Sequence, residues 1–308
     1  MAYSALVNDL RQIIDNAKVR VASTANYELT MMYWHIGERI NRDVLGNKRA
    51  EYSKQIVATL SRQLWWSHFV EVIPLKEELQ REFYLTMAYS QRWGVRRLRK
   101  EIDGMLFERT AIAQKPDELI KQELAELRDD NKMSPDLVFK SPYFLAFTGL
   151  KGYYSEKSLE DSLVANLEQF ILELGNGFTF VERQKRIIID GEDFYLDLLF
   201  FHRKLHRLIA IDLKLGRFKA QYKGQMELYL RWLEAHETEP GEESPLGLLL
   251  CTEGGEEQIE LLQLDKSGIK VAKYMTELPP REVLMQQIKR SLEVSRELFD
   301  EKNNMREE

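Results

Sequence analysis

Cysteine is almost absent from this chain: Cys251 stands alone among 308 residues. An intramolecular disulfide and a cysteine-rich metal site are therefore excluded. Cys251 sits within "PLGLLLCT" and reads as a small core residue. Long apolar runs are missing as well. No segment approaches the roughly 20 residues that span a bilayer, and the opening "MAYSALVNDLRQIIDNAKVR" has no basic start leading into an uninterrupted apolar stretch. A cytoplasmic protein with no membrane attachment is expected. Histidine is scarce, and His35 and His68 lie apart on helical, apolar-flanked stretches, which suits core or capping roles and not a zinc site. Internal repeats and low-complexity tracts are absent too, which argues against a solenoid.

What is present is the composition of a globular protein, 44% hydrophobic and 31% charged, in a chain long enough for two domains. The net charge of −6 speaks against a polyanionic partner for the chain as a whole. Its distribution says more. Residues 182–225 carry ten Lys or Arg against six Asp or Glu, whereas 237–260 hold eight glutamates and no basic residue, so a phosphate-bearing partner fits the middle of the chain.

Apolar residues at three- and four-residue spacing predict helices over 3–42, 48–64, from just after Pro74 to about Ser90, and 93–108. Together they make a helical N-terminal domain over 1–113. Pro116, Pro135 and Pro142 punctuate a charged stretch, 114–150, that reads as a linker with a short helix. From 151 to 308 the pattern is mixed, giving an α+β or α/β class. A helix over 157–174 ends at Gly175 and Gly177, strands follow near 178–190, 194–202 and 207–214, and Asp190-Gly191 and "HRKLH" supply the turns. Then come a helix at 219–236, the strand "LGLLLCT", a helix near 255–264, a strand at 269–274 and a last helix at 280–300.

Within those strands, three charged residues break apolar runs. Strict alternation puts Asp212 and Lys214 on one face of their strand. It groups Phe194, Leu196, Leu198 and Phe200 on one face of the preceding strand and leaves Asp197 on the other with Tyr195 and Leu199. A hairpin turning through 203–206 sets Asp197 across from Asp212. Facing carboxylates repel unless a cation lies between them, and Mg²⁺ commonly takes one or two protein carboxylates while keeping several waters. Asp197 and Asp212 fit such an ion, with the Leu213 carbonyl a candidate third oxygen and Lys214 placed to stabilise charge on a phosphate. On the leading helix, Glu160, Glu168 and Glu173 are candidates to complete the site, Glu160 the best placed. On the following helix, Lys219 and Lys223 suit phosphates, while Gln225 and Tyr229, four apart, suit a water or a phosphate oxygen. The ordinary alternative for each is a solvated polar residue or, for Tyr229, a core position.

These motifs resemble the PD-(D/E)XK nucleases, and more closely the YhcG-like family (domain of unknown function 1016), through "LEQFILELGNGFTFVERQ", "FYLDLLFFHRKLHRLIAIDLKLGRFKAQYKGQMELYL" and "IKVAKYMTELP". The resemblance implies a restriction-endonuclease-like αβββαβ core with a mixed sheet, and a hydrolase that uses Mg²⁺ or Mn²⁺ to cut DNA, in a setting of restriction or recombination. It assigns Asp197, Asp212, Lys214 and a helix glutamate to the centre, and matches Gln225 and Tyr229 to the family's Gln and Tyr. "YWHIGERI" and "WWSHFVEVIPLKEELQREFYLTMAYSQRWGVRRLRKEIDGMLFERTA" carry the likeness into the N-terminal half. There the chain runs from "QIVATLSRQL" straight into "WWSHF" and lacks a helical segment that family members carry, so its N-terminal domain is shortened.

Arg92, Arg96, Arg99 and Lys100 form a basic stripe opposite Val95, Leu98 and Ile102. They are candidates for phosphate contacts, as Trp65, Trp66 and Trp93 are for base stacking. The expected partner is DNA, with branched or single-stranded forms as candidates. A homodimer would let two centres reach both strands, and the last helix is a candidate for its interface. The competing expectation is a weakly active or inactive nucleic-acid-binding scaffold of a restriction or recombination system. The complete Asp197, Asp212, Lys214 set counts against it.

Overall fold

A computed structural model describes residues 2–40, 64–253, 256–262 and 264–293. The chain divides into two compact units, one of residues 1–107 with 127–131, the other of 108–126 with 132–308. The expected helix at 48–64 lies outside the described residues, apart from its last position.

The first unit is helical. Its elements are α1 (Ala2–Ile40), α2 (Trp66–Val72), α3 (Glu78–Gln91), α4 (Val95–Asp103) and the single turn α5 (Leu106–Arg109), which runs into the second unit. The α2 helix went unrecognised in the sequence because its start is built by tertiary contacts. The buried His68 ring accepts from the Trp65 N–H at 3.1 Å through Nδ1 and reaches the Trp93 carbonyl at 2.9 Å through Nε2. This capping role is the one expected of His68. The single helix expected over 93–108 is broken, since α4 ends at Gly104 and Met105 takes a left-handed φ of 55°. Tyr84 then bridges the break by accepting from the Phe107 N–H at 3.1 Å.

In the second unit, α6 (Asp117–Asp129) leads to a short strand β1 (Tyr143–Phe144), then helices α7 (Glu156–Ala165) and α8 (Leu167–Leu174). Three strands follow, β2 (Phe178–Ile189), β3 (Glu192–His202) and β4 (Arg207–Arg217). The helix α9 (Ala220–His236), β5 (Leu246–Glu253), α10 (Glu256–Leu261), β6 (Ile269–Met275) and α11 (281–293) complete it. The sheet order is β1-β6-β5-β4-β3-β2, antiparallel across β2, β3 and β4 and parallel from β4 through β5 and β6 to β1. This is the expected mixed αβββαβ core, extended by two strands, β6 and the short β1. None of the described helices is long and apolar enough to cross a membrane.

The antiparallel arm follows from its turns. Asp190 and Gly191 both take positive φ, 52° and 83°, which is the geometry a two-residue hairpin demands. The 203–206 turn holds the expected register, with Leu198 paired to Ile211 and His202 to Arg207. The β5 strand is buried from Leu246 to Cys251, as a central parallel strand covered on both faces should be. Gly247 is required there: a Cβ would sit 2.6 Å from Cγ of Met226, so its absence lets α9 settle onto the sheet. Met226, Tyr229, Leu230 and Leu233 pack with Leu196, Leu199, Ala210, Leu249 and Cys251 in one core layer. Elsewhere in the core Phe200 meets Phe170, Phe178 and Phe180 edge-on.

Two expectations are corrected here. The stretch 114–150 is built into the compact units, not strung between them: Ile120, Leu124, Leu137, Phe139, Tyr143 and Leu145 are buried, and β1 pairs with β6. A two-residue strand behind a proline is too short to show periodicity, which hid it. The helix expected over 157–174 is split at Asn166, whose ψ of 38° leaves the helical range. Glu160 is consequently buried and Glu168 exposed.

Glu173, the third helix carboxylate, anchors the same stretch. Its Oε1 accepts from Nη1 of Arg109 at 2.7 Å and from the Phe144 N–H at 3.0 Å, and Nζ of Lys140 bonds its carbonyl. Burial opposes the charge on Glu173, but Lys140 and Arg109 outweigh it and hold the carboxyl below the usual range. Removing one partner of a buried ion cluster typically costs about 3–5 kcal/mol. Glu173→Ala is expected to lower stability by about that amount in urea unfolding, whereas a loss of only a few tenths would show that Arg109 and Lys140 are satisfied without it.

Candidate active site

The β3–β4 ladder ends at Leu198 and Ile211. The next opposed positions are Asp197 and Asp212, and there the backbones stop pairing. The Leu213 N–H donates instead to Oδ2 of Asp197 at 2.8 Å, so a carboxylate takes the place of a strand carbonyl. Two residues along β4, Nζ of Lys214 lies 2.7 Å from Oδ2 of Asp212, as same-face alternation requires. The ammonium also stands 5.4 Å from the centre of the Tyr222 ring.

Strict alternation fails on β3. Leu196 and Leu199, three apart, belong to the same core layer, so the strand slips by one residue between them, where Asp197 lies. The expected grouping of Leu196 with Leu198 and Phe200, and of Asp197 with Leu199, is thereby corrected. Across the sheet, Lys185 pairs with Leu196 and Arg183 with Leu198, which puts Gln184 opposite Asp197. Gln184 has a left-handed φ of 50°, uncommon for a residue with a side chain. Its Nε2 donates to Oδ1 of Asp197 at 3.1 Å and to Oε2 of Glu160 at 2.6 Å. Arg183 bonds the other Glu160 oxygen and Asp161. Sequence reasoning passed over Gln184 and Arg183 because nothing in a lone "ERQKR" marks a break in strand geometry. It also missed Glu156, which accepts from the Leu215 N–H at 2.9 Å.

The electrostatics follow from this crowding. Burial, then repulsion from Asp212, pushes the Asp197 carboxyl up to about 7, against the pull of the Leu213 N–H and Lys214. Burial raises Asp212 too, although Lys214 opposes it. Lys214 is held above its ordinary value: burial disfavours its charge, but Asp212, Asp197 and Glu156 outweigh burial. Two neighbouring carboxylates, one buried and one half-buried, form a set of hard oxygens whose repulsion a divalent cation would relieve, so the residues fit such an ion. Among the described residues no group of three or more His, Cys, Asp or Glu side chains is arranged to hold a metal. The protein's own contribution is a pair of carboxylates with Lys214 beside it.

The remaining candidates separate. Nε2 of Gln225 donates to the Tyr229 hydroxyl at 2.6 Å, and that hydroxyl donates to the Tyr195 carbonyl at 3.2 Å. Tyr229 is buried, its hydroxyl pushed up by burial. The pair thus ties α9 to the strand carrying Asp197, and Tyr229 is not laid open to a phosphate as expected. Lys223 is half-buried and committed to the Leu262 carbonyl and Glu227, whereas Lys219, preceding α9, is exposed. In the helical unit Arg92, Arg96 and Lys100 are exposed, and Arg99 pairs with Glu71 at 2.5 Å. Of the tryptophans, Trp93 is buried, Trp66 stacks on Tyr33 at 4.6 Å, and Trp65 is exposed.

A sequence model of the YhcG PDDEXK nuclease domain matches residues 136–293, just over half of the chain and all of the sheet and site described above. The chain belongs to this family. The DUF1016 N-terminal domain matches in two overlapping stretches, 9–65 and 59–109. The protein named "Putative nuclease YhcG" from Escherichia coli (strain K12) is 34% identical over 245 residues, 79% of this chain and 64% of that relative's length. Among solved structures, a repair endonuclease from Pyrococcus abyssi covers 42% of this chain and 50% of its own, at 20% identity and a TM-score of 0.30. EndoMS in a double-stranded DNA complex covers 42% and 49%, at 18% identity and a TM-score of 0.31.

The raised Asp197 carboxyl has a consequence for stability. Its folded value, about 7, exceeds the ordinary carboxylate value, so its contribution is fully present below the unfolded pKa and is lost as pH rises through the folded one. Asp197→Asn is therefore expected to raise the metal-free unfolding midpoint relative to wild type increasingly between pH 5 and pH 8, by on the order of 1–3 kcal/mol at the upper end. Mg²⁺ at pH 8 is expected to raise the wild-type midpoint and leave the variant's unchanged. A difference that does not vary with pH would remove the like-charge account.

Proposed function

We propose that this protein is a divalent-metal-dependent nuclease that hydrolyses DNA phosphodiester bonds. The observation that carries the reading is the pairing of the half-buried Asp197 with the buried Asp212 at the parting of β3 and β4, with Lys214 2.7 Å from Asp212. Mg²⁺ or Mn²⁺, held by Asp197, Asp212 and the Leu213 carbonyl, would supply an acidified water and a counter-charge for the phosphate. The chain's own residues do the rest. Lys214, kept protonated by its two carboxylate neighbours, stabilises the negative charge that builds on the phosphate oxygens during in-line attack. Tyr229 and Gln225 hold the β3 backbone at Tyr195, two residues before Asp197, so the carboxylate meets its partner without reorganisation. Lys219 lies at the solvent edge of α9, and Arg92, Arg96, Arg99 and Lys100 offer further phosphate contacts from the helical unit.

DNA is the substrate class of this reading, with branched and single-stranded forms as candidates. A homodimer supplies the two centres needed to cut both strands of a duplex, a cytoplasmic location accords with this activity, and restriction or recombination is the setting expected.

Incubation with branched, single-stranded and duplex DNA in Mg²⁺ or Mn²⁺ is expected to give cleavage that Asp212→Ala abolishes and Lys214→Ala slows by about 10²–10³-fold. Cleavage retained by both variants would trace to a contaminant. Binding without cleavage in either metal would favour the scaffold reading. Lys219→Ala is expected to weaken DNA binding evenly across sequences and to flatten the salt dependence by about one ion. An unchanged slope would remove Lys219 from the interface.

A further inference from the structure

We infer that Gln184 is a positioning residue of the metal site, and that Glu160 serves the site through Gln184 instead of as a metal ligand. The inference rests on the nuclease reading and goes beyond it, because a glutamate on the leading helix is the expected third ligand.

The geometry assigns every oxygen of the two carboxylates concerned. Glu160, 5% exposed on α7, gives Oε1 to Arg183 and Oε2 to the Gln184 amide at 2.6 Å. Asp197 gives Oδ1 to the same Gln184 amide at 3.1 Å and Oδ2 to the Leu213 N–H at 2.8 Å. One NH₂ group thus spans both acids, using its two protons for two acceptors. The guanidinium of Arg183 already compensates the charge of Glu160, which weakens its draw on a dication. Asp197 has two uncharged donors, whereas Glu160 carries the guanidinium of Arg183, so a dication bound to Glu160 would have to share an oxygen with that cation or with the Gln184 amide.

The backbone points the same way. Gln184 sits opposite Asp197, between the pairs Arg183–Leu198 and Lys185–Leu196, and adopts its left-handed φ of 50° there. That conformation is disfavoured for a residue bearing a side chain, and it falls on the residue whose amide reaches both acids. Glu160 fixes the amide, and the amide fixes the rotamer of Asp197. Groups one step removed from a metal commonly control its affinity in this way, and their loss typically costs about 10–100-fold in metal binding.

The test is Mn²⁺ binding to the full chain without DNA, read from the electron paramagnetic resonance of free Mn²⁺, for wild type, Glu160→Ala, Gln184→Gly and the double variant. Glycine tolerates the left-handed backbone, so Gln184→Gly removes the amide without adding strain. Gln184→Met keeps the length of the side chain and serves if the glycine variant unfolds. Each single change is expected to weaken Mn²⁺ binding by about 10–100-fold. The double variant is expected to be no more than about threefold weaker than the weaker single one, because both changes cut the same chain of contacts. At saturating Mn²⁺ the cleavage rate of Gln184→Gly should return to near wild type, so that the metal requirement shifts while kcat does not.

Losses that multiply in the double variant would make Glu160 a ligand in its own right and overturn the inference. Unaltered Mn²⁺ affinity in Gln184→Gly or Gln184→Met would overturn it as well. Equal Mn²⁺ binding by wild type and Asp197→Asn, or none by wild type, would instead remove the metal site on which the nuclease reading stands.

Discussion

Two acidic side chains cannot lie side by side inside a sheet without compensation, and much of the second unit is arranged around that constraint. Asp197 and Asp212 meet where β3 and β4 stop exchanging backbone hydrogen bonds. The gap is closed by side chains: Asp197 takes the Leu213 amide, and Lys214 takes Asp212. An apolar substitution on both strands would allow the ladder to continue. The fold gives up backbone pairing at this point and sets two carboxylates and a lysine there instead.

The surroundings supply rigidity. Below the pair, the packing of Met226, Tyr229 and Leu233 on Ala210, Leu249 and Cys251 fixes β4 and β5 beneath α9. The hydroxyl of Tyr229 reaches the β3 backbone, and Gln184 reaches across from β2. Asp197 is therefore held from three elements, β4, β2 and, through Glu160, α7. Preorganisation of this kind matters most for a centre whose chemistry depends on charge placement, since donors already in position need not reorganise as charge develops.

The helical unit contrasts with this. Arg92, Arg96, Arg99 and Lys100 lie exposed, and the Arg99–Glu71 pair is a surface contact whose electrostatics are screened by salt. Phosphate affinity built from such groups is adjustable and sequence-blind, a different task from the placement of charge at the Asp197–Asp212 centre. The chain spans 64% of the length of a curated relative.

Much of the fold was legible because it obeys local rules. Asp190-Gly191 dictated a tight hairpin, the 203–206 turn determined which residues of β3 and β4 face each other, and the buried run "LGLLLC" announced a central parallel strand. With the register set, the opposition of Asp197 to Asp212 and the shared face of Asp212 and Lys214 followed from period-two alternation alone. Local rules could not convey where alternation breaks. The slip on β3 between Leu196 and Leu199, the left-handed Gln184 across from it, the split at Asn166 that turns Glu160 inward and Glu168 outward, and the pairing of a two-residue β1 with β6 all depend on neighbours distant in sequence. The sequence by itself therefore determined which charged residues enter the sheet. The tertiary structure decided which oxygens they present and which are already bound, because hydrogen-bond commitment is settled by contacts between elements and not within them.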